Sequence, residues 1–398
     1  NATFLQNINV SGITTVGSAV TISESGIEAS GIGITCANIN GTQIGGRRNI
    51  IINGAMTVAQ RGTSSTDSGY GTVDRFQVIF GGTDESPTQS QDDVASGTTP
   101  YTEGFRKSYK IQNGNQTSGA GEGDYVIIQY FVEAQDIATN GWNYTSSSSF
   151  ITLSFWVKSS VAQNFYGSLR SIDGTSQNYP FETGSLSADT WKKVVLTIPG
   201  NSNLQFDNDT DQGLRIRLAL FRGTNATGSV TLNQWAAFNN SVQYPDNTST
   251  FYTTNDATFE ITGVQLEVGS QATAFEHRSF GEELNLCRRY FQQISPSTTD
   301  GVMALGNSWS STLNKFVIYL NPNMRAAPTV SVNGTVKVRN ASGSTQQHSG
   351  SSITLDEAST SVAQCRATNP QGGLTSGGVG QVRIVDGTTN NLQFTAEL

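Results

Sequence analysis

Two stretches decide the fold. In Ile151-Thr-Leu-Ser-Phe-Trp-Val157 the residues Ile151, Leu153, Phe155 and Val157 recur with period two, and in Leu214-Arg-Ile-Arg-Leu-Ala-Leu220 the leucines and Ile216 alternate with Arg215 and Arg217. Successive side chains on a strand point to opposite faces, so each stretch reads as a strand with one buried and one solvated side. Tyr125 to Val132, Lys192 to Ile198 and Phe259 to Val268 read the same way, separated by Gly, Asn, Ser and Thr clusters such as Thr63 to Gly71 and Gly223 to Gly228. Many strands with distinct inner and outer faces predict an all-β chain built on a two-sheet antiparallel sandwich of jelly-roll type.

Outward from this centre the sequence divides into four. Residues 1–46 repeat Ser11-Gly12-Ile13, Ser25-Gly26-Ile27 and Ser30-Gly31-Ile32 among isolated Ile and Val residues. Short apolar repeats that cannot close a core alone do so by stacking on neighbours, which predicts a repetitive β stem for oligomerisation or attachment, with a homotrimer the preferred form and a flexible Gly/Ser linker the alternative. Residues 47–280 carry the sandwich. In 281–294 the spacing of Leu284, Cys287, Tyr290 and Phe291, with Glu282 and Glu283 before Arg288 and Arg289, predicts a short linking helix. Beyond Pro296, Lys315 to Leu320, Thr329 to Val332, Thr335 to Arg339 and Gly380 to Val385 predict a smaller β domain over 295–398.

Composition narrows the function. Of 398 residues 35% are apolar and only 14% charged, a strand and turn composition that argues against an α/β enzyme. A net charge of −8 argues against nucleic acid, whose phosphates require a basic face. The apolar runs are too short for a membrane-spanning helix, and no signal-peptide pattern leads the chain, which begins at Asn1 without a methionine. Cys36, Cys287 and Cys365 are far apart and odd in number and make no disulfide framework, as expected of a chain made in a reducing cytosol. With only His277 and His348, a histidine triad or a multi-histidine zinc site lacks material.

The segment Arg48-Asn49-Ile50-Ile51-Ile52-Asn53-Gly54-Ala55-Met56, then Gln60-Arg61-Gly62 and Asp74-Arg75-Phe76, resembles a pattern of bacteriophage tail-fibre and related virion proteins. Phe259 to Gly269, Phe275-Glu276-His277-Arg278, and Glu282 to Gln292 resemble the end of the carbohydrate-binding-module-like jelly roll of those proteins. The resemblance covers about residues 47–293. Ala59 and Phe76 stand where the family often has an aromatic and a tryptophan, so no sugar-stacking role carries over there. It implies a virion part, made in the bacterial host cytoplasm, with other virion tail proteins and host cell-surface polysaccharide as partners. The implied function is a non-catalytic receptor-binding fibre; a non-binding capsid fibre or tail adaptor and a polysaccharide depolymerase are the alternatives.

A sugar site pairs an aromatic face with hydrogen-bonding side chains. Trp142 and Tyr144 in Asn140-Gly-Trp-Asn-Tyr-Thr145, Trp235 and Tyr244 in polar flanks, and Trp156 opposite the Phe155 face are the carbohydrate-binding candidates. For each, packing under a loop or at a subunit contact is the competing role. Asp207, Asp209 and Asp211 alternate before Gly213 as in a calcium loop, although Leu218 stands where an EF-hand needs its glutamate, and a plain acidic turn is the alternative. Asn143-Tyr-Thr145 is a glycosylation acceptor only in a secretory pathway. The pairs Asp92 with Asp93 and Glu282 with Glu283 could in principle act on a glycosidic bond, but spacing alone cannot place two carboxylates across a sugar.

Overall fold

The computed structural model describes residues 20–23, 26–29, 38–39, 42–43, 47–295, 301–340, 345–346, 352–368, 372–385 and 391–398. Ten strands form the body: β1 (Phe76–Gly81), β2 (Thr88–Asp93), β3 (Lys107–Gln112), β4 (Tyr125–Glu133), β5 (Phe150–Ser159), β6 (Tyr166–Ser171), β7 (Gln177–Glu182), β8 (Lys192–Pro199), β9 (Gln212–Arg222) and β10 (Thr258–Val268). They make two six-stranded antiparallel sheets. The first runs β8-β5-β10-β3-β2 and ends on Ser64–Ser65; the second begins on Ala236–Ala237 and runs β7-β6-β9-β4-β1.

Period-two alternation sets the interior. Ile151, Leu153, Phe155 and Val157 from the first sheet meet Leu214, Ile216, Leu218 and Leu220 from the second in one core, together with Val126, Ile128, Tyr130 and Val132. At roughly 1.5–3 kcal/mol for each large apolar side chain buried, this core is the main stabiliser. The odd residues of β9, Arg215 and Arg217, are thereby turned outward. A bulge between Ser154 and Trp156 is absorbed in β10 at Gly263, where φ is +64° and a Cβ would lie 2.7 Å from the Phe105 ring.

The helix is shorter than the spacing predicts. α1 (Phe280–Arg288) starts at a capping box in which Ser279 and Glu282 exchange hydrogen bonds, and it ends before Tyr290 because Phe291–Ile294 is already a strand. That strand belongs to the last domain, in the order Phe291–Ile294, Asn391–Thr395, Thr329–Asn333. The small sheet packs with a seven-stranded sheet whose centre is Val379–Val385, Val302–Ser308 and Leu313–Tyr319, around a separate core including Phe316, Ile318, Leu392 and Phe394. Within residues 1–46, Val20–Ser23 pairs antiparallel with Gly26–Ala29, and Asn38–Ile39 with Thr42–Gln43. The rest of the expected stem lies outside the described residues.

Candidate functional site

The residues of the quoted motifs converge, and they are consumed by one another. Glu276 accepts from the backbone N–H groups of Arg48 and Asn49, while Arg278 donates to the carbonyls of Asn49 and Ile51 and pairs with Glu276 and Glu283. Asn53, at φ +62°, ties the Val58 and Asp74 carbonyls through its side chain and gives its N–H to Glu283. Arg75 is almost wholly buried; it pairs with Glu397, bonds the Phe131 carbonyl at 2.8 Å and lies 3.4 Å over the Tyr290 ring. Burial alone would lower its pKa, but Glu397 holds it well above the usual range. Arg61 bridges Asp74 and Glu397, Arg289 holds Glu133, and Arg325 reaches Asp211 at 3.2 Å. Burial raises Asp74 to about 6 against the opposing charge of Arg61. Burial of Glu133 acts upward too, but the bonds from Arg289 and Tyr290 keep it below the ordinary value. This joint fastens sandwich, helix and last domain together. A hollow of about 770 Å³ lies beside it, and the cations on its wall, Arg47, Arg278 and Arg289, are all ion-paired.

The aromatic candidates turn out to be packed. Trp142, Trp156, Trp235 and Tyr244 are between 0% and 6% exposed, and none offers an open ring face. Trp142 donates to the Ser149 carbonyl and packs with the half-buried Tyr144 and with Phe206. Trp235 donates to the Pro199 carbonyl and lies against Tyr179. Trp156 does face away from the sandwich core, but Val94 and Phe105 cover it and Glu103 takes its indole N–H at 3.0 Å. Tyr244 closes over the second sheet, its hydroxyl 3.5 Å from Ser168. Flanking polarity misled here because a polar loop can satisfy its backbone in water while tucking its ring inward.

The acidic loop is exposed, and its groups are engaged locally. Asp209 accepts from the Asp211 N–H, Asp207 gives its N–H to Asp173, and the carbonyls of Asp209 and Asp211 hold Gln135 and Ala134. Among the described residues no three His, Cys, Asp or Glu side chains gather as a metal cage. The adjacent carboxylates are likewise engaged: Asp92 with Lys110, Asp93 with Lys107, Glu282 in the helix cap and Glu283 with Asn53 and Arg278. His277 meets the Glu103 carbonyl at 2.9 Å beside Phe105 and Phe275, while His348 and Cys36 lie outside the described residues. Cys287 and Cys365 are buried free thiols, the latter pushed up to about 12 by burial.

The surface with the chemistry of a binding site is the outer face of the second sheet. Strand register arranges it in three cross-strand rows. The first is apolar and aromatic, Tyr166 opposite Ala219, Ala219 opposite Ile127, Ile127 opposite Ile79, and it packs under Tyr244, which leaves Ile127 and Ala219 buried and Tyr166 and Ile79 half-buried. The second is polar: Ser168, Gln129 and Gln77, all buried, and the half-buried Arg217. The third runs Asn178, Arg170, Arg215, Phe131. Neighbouring rows are two residues, roughly 7 Å, apart along the strands, and each row crosses strands at about 4.8 Å intervals, which is the scale of a few sugar rings. The half-buried Tyr125, with Arg222 5.2 Å from its ring, extends the aromatic end. On the β7 side, Asn178 and Pro180 also line a hollow of about 360 Å³ under residues 229–242. The Leu214 to Leu220 alternation was the signal for Arg215 and Arg217; nothing local marked Tyr166, Arg170 or Gln129 as their neighbours.

No protein-family model matches the sequence, and no curated protein matches it. Among solved structures the chain is similar to the enzymatically active domain of bacteriophage CBA120 tailspike protein 4, at 9% identity and a TM-score of 0.29 over 55% of this chain and 21% of that one. It thus spans about a fifth of that domain's length. It is also similar to the N-terminal cellulose-binding domain of Cellulomonas fimi β-1,4-glucanase C, at 10% identity and TM-score 0.26 over 54% of this chain and 99% of the other. A third is the family 11 carbohydrate-binding module of Clostridium thermocellum, at 14% identity and TM-score 0.23 over 54% and 98%.

Proposed function

We propose that the chain is a non-catalytic glycan-recognising fibre protein of a bacterial virus, binding host surface polysaccharide on the outer face of its second sheet. The observation that carries the reading is the half-buried arginine cluster of that face, Arg170, Arg215 and Arg217, with the half-buried Tyr166 at its edge. A tyrosine ring supports the apolar side of a pyranose, and guanidinium groups beside it bond its hydroxyls. The motif resemblance supports the virion setting. The commitment of the paired carboxylates to ion pairs and caps supports a binding role over hydrolysis.

We infer further that copies associate, as a trimer, and that weak sites gain strength from multivalency. The repeats of residues 1–46 support this, as do Trp309 and Tyr319, 68% and 80% exposed on the last domain beside Leu305 and Val317. Light scattering of the full chain giving a single-chain mass would sink the trimer.

The binding test uses fluorescently labelled full-length protein on a panel of bacterial cells, before and after periodate oxidation of their surface sugars. Saturable binding that is lost on oxidation, and lost with Tyr166→Ala, is the expected result. Binding indifferent to both changes would overturn the proposal, and binding to no cell would favour a purely structural virion part.

A further inference from the structure

Arg170 and Arg215 sit directly opposite each other on β6 and β9, and Arg217 is the next outward residue on β9. Like charges directly opposite on a sheet are destabilising, so neighbouring carboxylates normally relieve them. Here none does: among the described residues none of the three forms an ion pair, in a chain whose net charge is −8. Their one internal hydrogen bond each goes to a neutral group, Arg170 to Ser176, Arg215 to Gln212 and Arg217 to Gln129, at 2.9, 2.9 and 3.1 Å. Two guanidinium planes rest on rings, Arg170 3.4 Å over Phe238 and Arg215 4.9 Å from Phe131. Stacking uses the face of the guanidinium and leaves its edge N–H donors in place. The Nε of Arg215 is buried with no hydrogen-bond partner. Burial and the neighbouring arginines lower the pKa of Arg215 to about 10, and burial, followed by Arg217, lowers that of Arg170.

We propose that this face takes an anionic saccharide, its acid group seated among Arg170, Arg215 and Arg217 while the sugar ring rests against the half-buried Tyr166. The inference rests on the glycan-binding reading and names its ligand class: a sugar bearing a carboxylate, sulfate or phosphate. A guanidinium edge matches the two oxygens of such a group, and three on one face supply both charge and geometry. A neutral polysaccharide would leave the three cations facing each other without relief.

The test measures binding of the full-length protein to polygalacturonate and hyaluronate, each beside its carboxyl-reduced form, and to dextran sulfate beside dextran. The expected result is preference for at least one acidic polymer over its neutral form by about tenfold or more, the loss that follows removal of a charged hydrogen-bond partner. Which acidic polymer is preferred separates carboxylate from sulfate recognition. Binding should weaken as salt rises. Arg170→Gln and Arg217→Gln should each abolish the preference, while Lys158→Gln on the first sheet leaves it intact. If the arginines served only to hold the face together, both glutamine variants would melt lower and keep their selectivity. Equal binding of acidic and neutral forms would overturn the inference while sparing glycan recognition. Failure to bind any polymer, together with no oxidisable binding to cells, would overturn the underlying reading as well.

Discussion

Arginine is treated in opposite ways in two regions of this molecule. At the joint between sandwich, helix and last domain, Arg61, Arg75, Arg278, Arg289 and Arg325 each meet a carboxylate within 4 Å. On the outer face of the second sheet, Arg170, Arg215 and Arg217 meet none among the described residues, although two of them are cross-strand neighbours. The outer side of the first sheet follows the joint: Lys158 pairs with Glu260, Lys110 with Asp92 and Lys193 with Glu103. These cations of the joint and of the first sheet find their anions within the chain. A half-buried cluster left without one costs stability within the chain, and the proposed anionic ligand would relieve that cost.

The contrast is breakable by measurement. The largest effect is expected at the joint: Arg75→Met leaves buried Glu397 with less compensation and the Phe131 carbonyl without its donor, and should cost about 3–5 kcal/mol in denaturant unfolding. A loss under about 1 kcal/mol would mean that packing alone holds the domains. The next concerns pH. Burial lifts Asp74 to about 6 from 3.8, so its contribution to stability is complete below about pH 4 and is lost as pH rises through about 6. That loss is worth about 3 kcal/mol. Unfolding free energies of the parent chain and Asp74→Asn should therefore differ in slope across that window and run parallel outside it; parallel curves throughout would refute the burial of a charged Asp74.

A smaller effect of opposite sign is expected on the open face. Arg215→Gln removes like-charge repulsion and the desolvation of a cation, and should leave stability unchanged or raise it by about 1 kcal/mol in the same assay. A clear destabilisation would place Arg215 with the structural arginines. The smallest is on the first sheet, where Lys107→Ala breaks the exposed pair with Asp93 and should move stability by no more than about 0.5 kcal/mol.

Much of the sandwich was legible beforehand, since the inward faces of β5 and β9 follow from which alternate residues are apolar. The capping box and the last domain's strands are local signals of the same kind. The aromatic candidates were not legible: Trp142 and Trp235 sit in polar sequence, yet their indole N–H groups find the Ser149 and Pro199 carbonyls, and their rings are buried. The motif residues were visible as a pattern, but their role was not. Asn53 with Glu283 and Arg75 with Glu397 join residues more than 200 positions apart.

By itself the sequence determined that Arg215 and Arg217 would face outward, because side-chain direction on a strand depends only on parity. Only the tertiary structure decided what stands beside them. Arg170 comes opposite Arg215 through antiparallel pairing of β6 with β9, and Gln129 and Phe131 come alongside through pairing of β9 with β4. Register is set by burying the inner faces and closing the loops between strands, a global condition that no local window of residues contains.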